Sequence, residues 1–172
     1  MRHARNSAAL LAAVAVVSSL STIPASAEST SDSAAENAAE NYVALGDSYS
    51  SGTGTREYFE DSGDCLRSPK AYPQLWADSH QVSSFEFAAC SGAVTGDVIA
   101  DQLGGLNADT TLATISIGGN DVGFADVITR CVAGTDSACD AAVTEAIEKA
   151  RNELPAKLDA TYASIREAAP NA

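Results

Sequence analysis

Three short polar segments of this 172-residue chain carry residue types that could together perform acyl transfer. They read Gly-Asp-Ser at 46–48, Cys-Ser-Gly at 90–92 and Gly-Gly-Asn-Asp at 118–121. Acyl transfer needs a nucleophile, a base that activates it and hydrogen-bond donors for the developing oxyanion. Any one of these segments alone is typical of an ordinary turn, since Gly, Asn, Asp and Ser are common turn residues. Catalysis is indicated only if the fold brings the three segments together.

Each segment offers one candidate catalytic group. Ser48 carries a hydroxyl that can act as the nucleophile, and its own backbone N–H can donate to the oxyanion. Gly92 has no side chain, so its backbone N–H can come close to a developing negative charge. The side-chain NH₂ of Asn120 is a further donor for the same charge. The residues therefore predict a serine hydrolase in which Ser48 attacks and Ser48, Gly92 and Asn120 form the oxyanion hole.

The elements that must position these groups alternate along the chain. Short apolar runs predict strands at 42–45, 84–89 and 112–117, and helical spacing is found at 71–80, 95–103 and 121–130. This alternation predicts an α/β fold with parallel strands and helices on both faces of the sheet. In such a sheet ligands bind at the carboxyl ends of the strands, which is where all three polar segments fall.

The last part of the chain has a longer helical pattern. Apolar residues recur at helical spacing from Val143 to Ile165, which predicts an amphipathic helix of about 25–30 residues. Pro155 lies within it and is expected to kink or break the helix, because proline has no backbone N–H and its ring clashes with the preceding turn.

The first 27 residues have the pattern of a secretory signal peptide. Arg2 and Arg5 precede an apolar stretch at 8–20, and Ala-Ser-Ala at 25–27 fits the cleavage pattern, so we expect a cut after Ala27 and a secreted protein. The alternative is an uncleaved membrane anchor; no later segment predicts stable membrane insertion. The polar, acidic segment 28–40 predicts a flexible leader, and 41–172 forms the domain.

The four cysteines, Cys65, Cys90, Cys131 and Cys139, contain no Cys-x-x-Cys pair, which disfavours a zinc site. An even number in an exported protein predicts two disulfides. Three pairings are possible, and locality favours Cys65–Cys90 with Cys131–Cys139. The formal net charge of −13 argues against a nucleic acid partner, because phosphate binding needs a basic face.

Three blocks of the sequence resemble the SGNH hydrolase family, also called GDSL esterases and lipases: VALGDSYSSGTG, AACSGAVTGDV and SIGGND. The resemblance implies a flavodoxin-like three-layer α/β/α sandwich. It implies hydrolysis of small-molecule or lipid carboxylic esters by a monomer without metal or cofactor. It carries the nucleophile to Ser48, the oxyanion glycine to Gly92 and the oxyanion asparagine to Asn120. The cysteines resemble those of the secreted bacterial branch, which implies the same two local pairs.

One block of that family is not found in these 172 residues. No Asp-x-x-His, which would supply the base and the acid that orients it, occurs in the sequence. The two histidines are His3, in the predicted signal peptide, and His80, which we expect to be an exposed residue at a helix end. We therefore expect the C-terminal strands and the catalytic histidine to lie beyond Ala172, and the chain as given to be inactive. The alternative is a non-catalytic secreted module of the same fold that binds lipid or glycan.

Overall fold

The computed structural model describes residues 39–172. Its centre is a parallel sheet of three strands in the order β2-β1-β3, formed by β1 (Glu40–Gly46), β2 (Val82–Phe87) and β3 (Leu112–Ser116). They correspond to the three apolar runs, although β2 begins and ends two residues earlier than the predicted 84–89. The order 2-1-3 is how a flavodoxin-like doubly wound sheet begins.

The first strand starts earlier than its apolar residues indicate. Glu40 pairs with Val82, and its N–H donates to the Gln81 carbonyl at 3.1 Å. Backbone pairing, and not side-chain apolarity, decides where a strand begins. Glu40 therefore belongs to β1 and not to the leader predicted for 28–40; the remainder of that leader up to residue 38 and the predicted signal peptide at 1–27 lie outside the described residues.

Helices connect the strands and follow the last of them. They are α1 (Ser48–Ser51), a 3₁₀ turn (Glu60–Cys65), α2 (Tyr72–Ser79), α3 (Thr95–Asp97) with a π turn (Val98–Gln102) and a 3₁₀ turn (Leu103–Gly105) directly after it, α4 (Phe124–Ala133), α5 (Asp136–Asn152) and α6 (Leu154–Ala168). Within residues 39–172, none of the helices combines the length and the apolarity that crossing a bilayer requires.

Pro155 divides the long helical pattern near the end of the chain into two helices. α5 ends at Asn152, Glu153 lies at the junction, and α6 begins at Leu154 with Pro155 in its first turn. A proline is tolerated in the first turn of a helix, where its missing N–H would have no partner, but not in the interior. The predicted break is confirmed, and the single amphipathic helix is in fact two.

The sheet is covered on both faces, because alternate residues of β1 point in opposite directions. Tyr42 and Ala44 pack with Ala77 and Trp76 of α2 on one face, and the rings of Tyr42 and Trp76 meet edge to face at 5.0 Å. On the other face two further β1 residues, Val43 and Leu45, pack with residues after α3 and in and after α6: Leu103, Leu106, Ile165, Ala168 and Ala169. The fold is therefore an α/β/α sandwich, as the sequence predicts.

Two disulfides join the cysteines in the local pairs that the sequence favours. Cys65–Cys90 ties the loop between α1 and α2 to the segment after β2, and Cys131–Cys139 joins α4 to α5. The first of these bonds involves Cys90, which belongs to the polar segment 90–92.

We expect the two disulfides to stabilise the fold unequally. Their cysteines are 25 and 8 residues apart in the sequence. A longer closed loop removes more entropy from the unfolded chain, which gives about 3.5 and about 2.5 kcal/mol respectively. Cys65→Ser/Cys90→Ser is thus expected to lower the free energy of unfolding more than Cys131→Ser/Cys139→Ser. Urea unfolding of both double variants measures this difference, and the reverse order would contradict it.

Candidate active site

The ends of β1, β2 and β3 meet at one edge of the sheet, and backbone hydrogen bonds link the polar segments there. The Asp47 N–H donates to the Ser116 carbonyl at 2.9 Å, and the Cys90 N–H donates to the Gly46 carbonyl at 2.9 Å. Gly46 has φ +123°, and a Cβ built on it would overlap the carbonyl oxygen of Ser116. Only glycine fits at this position, because it tolerates both the left-handed backbone and the close approach.

Ser48 is the first residue of α1, and the turn before it is held by Asp47. The Asp47 side chain is the N-cap of this helix: its carboxylate accepts the Tyr49 N–H at 3.0 Å and the Ser116 hydroxyl at 2.7 Å. Asp47 is buried, with 8% of its surface exposed. Its role is structural, because its carboxylate caps the helix and holds the turn. Ser48 itself is half-buried.

Ser48 and Asn120 line the same cleft, whose volume is about 380 Å³. Tyr49 and Phe124 line it as well, and their side chains are 77% and 60% exposed. The complete lining is Asp47, Ser48, Tyr49, Thr53, Gly119, Asn120 and Phe124. The sequence carries little signal for these two aromatic residues beyond their positions, one residue after Ser48 and four after Asn120.

The side chain of Asn120 is oriented by the segment that contains Gly92. Its Nδ2 donates to the Ala93 carbonyl at 2.9 Å. A side-chain NH₂ carries two hydrogens, so this bond occupies one and leaves the other to donate to a bound oxygen. Because a carbonyl oxygen only accepts, it faces Nδ2 and not Oδ1, so this bond sets the orientation of the Asn120 amide.

Gly92 does not line the Ser48 cleft; it lines a separate pocket of about 460 Å³. Its φ of +84° is in the left-handed region, and the space around its Cα is open. Both of its neighbours are bonded to cleft residues: the Ser91 hydroxyl accepts from the Thr53 hydroxyl at 3.0 Å, and Ala93 accepts from Asn120. The structure thus places Ser48 and Asn120 in one cleft and Gly92 on the loop that borders it.

A second acidic residue, Asp121, connects the polar segment 118–121 to Thr95, at the start of α3. Its carboxylate accepts the backbone N–H of Thr95 at 3.0 Å and the Thr95 hydroxyl at 2.6 Å. The Nζ of Lys157 on α6 lies 3.7 Å from the same carboxylate, whose side chain is only 3% exposed. Asp121 therefore holds the backbone next to Asn120 against the start of α3.

Loss of this buried carboxylate is expected to destabilise the fold measurably. Asp121→Asn keeps the shape but places an NH₂ where a bond acceptor is needed, and leaving buried Thr95 groups without a partner costs about 1–3 kcal/mol. Asp126→Asn is the matched control, because Asp126 forms an exposed i,i+4 pair with Arg130, and such pairs contribute about 0.5 kcal/mol or less. Equal unfolding midpoints in urea for the two variants would contradict the role given to Asp121.

His80 lies at the opposite edge of the sheet from Ser48. It is the exposed C-cap residue of α2, where its ring stacks on Trp76 at 4.2 Å and its Nδ1 lies 2.8 Å from the Trp76 carbonyl. This position just before β2 is separated from Ser48 by the length of β1, seven residues or about 20 Å. His80 is the exposed helix-end histidine that the sequence predicts. Between residues 39 and 172 no group of three or more metal-ligating side chains is assembled.

The matches to known proteins agree with this arrangement. The model of the GDSL-like lipase/acylhydrolase family matches residues 44–172. The chain is 53% identical over 143 residues to Lipase 1 of Streptomyces coelicolor, which covers 83% of the chain and 53% of that protein. It is 53% identical over 134 residues to the lipase of Streptomyces rimosus, covering 78% of the chain and 50% of that protein. The chain spans about half the length of these curated relatives.

Two solved structures resemble the fold at the same level of identity. The phospholipase A1 from Streptomyces albidoflavus NA297 superposes with a TM-score of 0.76 at 53% identity, over 78% of this chain and 57% of that one. The extracellular lipase from Streptomyces rimosus gives a TM-score of 0.74 at 53% identity, over 76% and 56% of the two chains. Together with the family match over most of the sequence, these likenesses show that the chain belongs to the GDSL-like lipase/acylhydrolase family.

Proposed function

We propose that the whole protein is a secreted serine hydrolase that cleaves carboxylic esters, with Ser48 as its nucleophile. The observation that carries the proposal is the shared cleft: Ser48, at the start of α1, and the Asn120 amide line the same space. The Nδ2 of that amide donates a hydrogen bond to the Ala93 carbonyl, which orients the side chain. A nucleophile beside a preorganised donor is the arrangement that acyl transfer needs.

In the proposed reaction the Ser48 hydroxyl attacks the ester carbonyl carbon while a base takes its proton. The carbonyl oxygen becomes an oxyanion, which accepts hydrogen bonds from the Ser48 N–H, the Gly92 N–H and the Asn120 Nδ2. The C–O bond to the alcohol breaks, and the alcohol leaves with the proton from the base. Water then attacks the acyl carbon, gives a proton to the base, and releases the acid as Ser48 regains its hydrogen.

We assign the base of this mechanism to a histidine that is not among the 172 residues. His80 is about 20 Å from the end of β1 by strand length, and it is bonded and stacked at the opposite edge. His3 falls in the predicted signal peptide, and the chain spans about half the length of its curated relatives. Since a serine hydroxyl without a base is a weak nucleophile, residues 1–172 by themselves are expected to show negligible esterase activity.

The proposed substrates are lipid esters or small esters with an apolar part. Tyr49 and Phe124 give the cleft two aromatic walls, which suit an acyl or alkyl chain. The relatives bear the names lipase and phospholipase A1. Two disulfides suit an oxidising compartment, and one relative is an extracellular lipase, which supports secretion. We propose cleavage of the signal peptide after Ala27 on the sequence pattern alone. We propose that the whole protein acts as a monomer and without a cofactor.

A panel of chromogenic esters with acyl chains from acetyl to palmitoyl tests the proposal on the whole protein. Hydrolysis that rises above the rate in buffer and varies with chain length is the expected result. Saturable binding of the same lipids without any turnover would instead support the alternative of a non-catalytic secreted module, for lipid or for glycan. The chain-length profile also identifies which acyl groups the Tyr49–Phe124 cleft accepts.

A further inference from the structure

At Gly46, two residues before Ser48, strand β1 is still paired with β3 but no longer with β2. β1 pairs with β3 as far as Gly46 opposite Ser116. On the other side, pairing with β2 ends earlier, at Ala44 opposite Phe87. The Gly46 N–H therefore needs a partner that β2 does not supply, because a buried backbone donor is almost always hydrogen-bonded.

The side chain of Gln102 supplies that partner. Its Oε1 accepts the Gly46 N–H at 2.7 Å, and its Nε2 donates to the Gly46 carbonyl at 2.9 Å. The same carbonyl accepts the Cys90 N–H at 2.9 Å. A primary amide offers the same donor and acceptor as a peptide group, so Gln102 occupies the place of the missing β2 residue. Gln102 is 3% exposed, so these bonds are shielded from bulk solvent.

The local backbone explains why a residue so far along the chain reaches this position. Gln102 is the last residue of the π turn Val98–Gln102, which follows α3 directly. Val98, the first residue of the turn, is fully buried, so both ends of the turn face the interior. Single π turns occur frequently at functional sites, where they redirect a side chain that a regular helix would place elsewhere.

We propose that Gln102 is a positioning residue for Ser48, an inference that rests on the proposed role of Ser48 as nucleophile. The end of β1 is held on its β3 side by the Asp47 N–H bond to Ser116. On its β2 side it is held by the two Gln102 bonds together with the Cys90 N–H bond to the Gly46 carbonyl. The turn to Ser48 starts from a backbone that is bonded on both sides. Losing the Gln102 bonds lets the end of the strand move, and a nucleophile displaced by about 1 Å reacts up to about 10²-fold more slowly.

Two substitutions in the whole protein separate positioning from packing. Gln102→Met keeps the side-chain volume and removes both hydrogen bonds; we expect kcat to fall roughly 10- to 100-fold, with KM changed less than about two-fold because the cleft residues are untouched. Gln102→Glu is expected to keep more of the wild-type activity than Gln102→Met. A buried carboxyl is favoured in its neutral form and then has both an acceptor and a donor. Gln81→Glu makes the same change at an exposed residue and is the matched control.

Hydrogen exchange gives a second readout that does not depend on turnover. In Gln102→Met, amides at 46–48 are expected to exchange faster while those of β3 residues Leu112–Ile115 keep the wild-type rate. The proposal is overturned if Gln102→Met keeps kcat within about two-fold of wild type, if it changes KM alone, or if Gln102→Glu loses as much activity as Gln102→Met. Should the wild-type protein hydrolyse no ester, the proposed function fails, and unchanged exchange at 46–48 would independently overturn the role of Gln102.

Discussion

Replacing Ser48 by alanine in the whole protein is expected to lower kcat/KM for a chromogenic ester by at least about 10⁴-fold. The variant removes the only atom that can form the acyl-enzyme in the proposed reaction. The fold should be retained, because the bonds that hold the turn are made by the Asp47 side chain to Tyr49 and Ser116 and not by the Ser48 hydroxyl. The measurement is steady-state hydrolysis of a short-chain ester beside urea unfolding of the same sample.

The control for this prediction is Ser137→Ala, at an exposed position on α5 that lies outside the cleft lining. It should leave both activity and stability unchanged. A fluorophosphonate probe gives an independent check, since it is expected to label wild type at Ser48 and to leave Ser48→Ala unlabelled. Wild-type turnover in Ser48→Ala, or labelling at another serine, would remove Ser48 from the mechanism.

Asn120→Ala is expected to lower kcat by about 10²–10³-fold, the usual loss for one side-chain donor of an oxyanion hole. KM should change little, because the donor acts on charge that develops in the transition state and not on the ester in its ground state. The Nδ2 bond to the Ala93 carbonyl is the reason for a large effect: the donor is already oriented before substrate arrives. Steady-state kinetics on the ester that gives the highest wild-type rate measures both constants.

Asn120→Asp is expected to lower kcat more than Asn120→Ala does. The carboxylate matches the amide in shape but places an acceptor against the Ala93 carbonyl and a negative charge beside the oxyanion, so its loss of kcat should exceed that of the alanine variant. Asn152→Ala, at the exposed end of α5, is the matched control and should retain full activity. If Asn120→Ala raised KM and left kcat unchanged, Asn120 would bind substrate without stabilising the oxyanion.

The parts of the fold that could be predicted are those that leave a local pattern in the sequence. Short apolar runs ending in a polar segment locate β1 and β3, because strands of a parallel sheet that helices cover carry few polar residues. Pro155 breaks the last helical pattern because its ring excludes a helix interior. Strand ends were predicted less well: Glu40 joins β1 through its bond to the Gln81 carbonyl, which no apolar pattern records.

By itself the sequence determined the order of strands and helices and placed the three polar segments at the carboxyl ends of the strands, and it favoured the two local cysteine pairs among three possible pairings. Only the tertiary structure decided how these groups are held. The bond from Gln102 to Gly46 spans 56 residues and that from Asp121 to Thr95 spans 26. The physical reason is that periodicity reports whether a segment is buried, whereas a hydrogen bond between distant residues depends on where two backbones cross, and only packing of the whole domain sets that crossing.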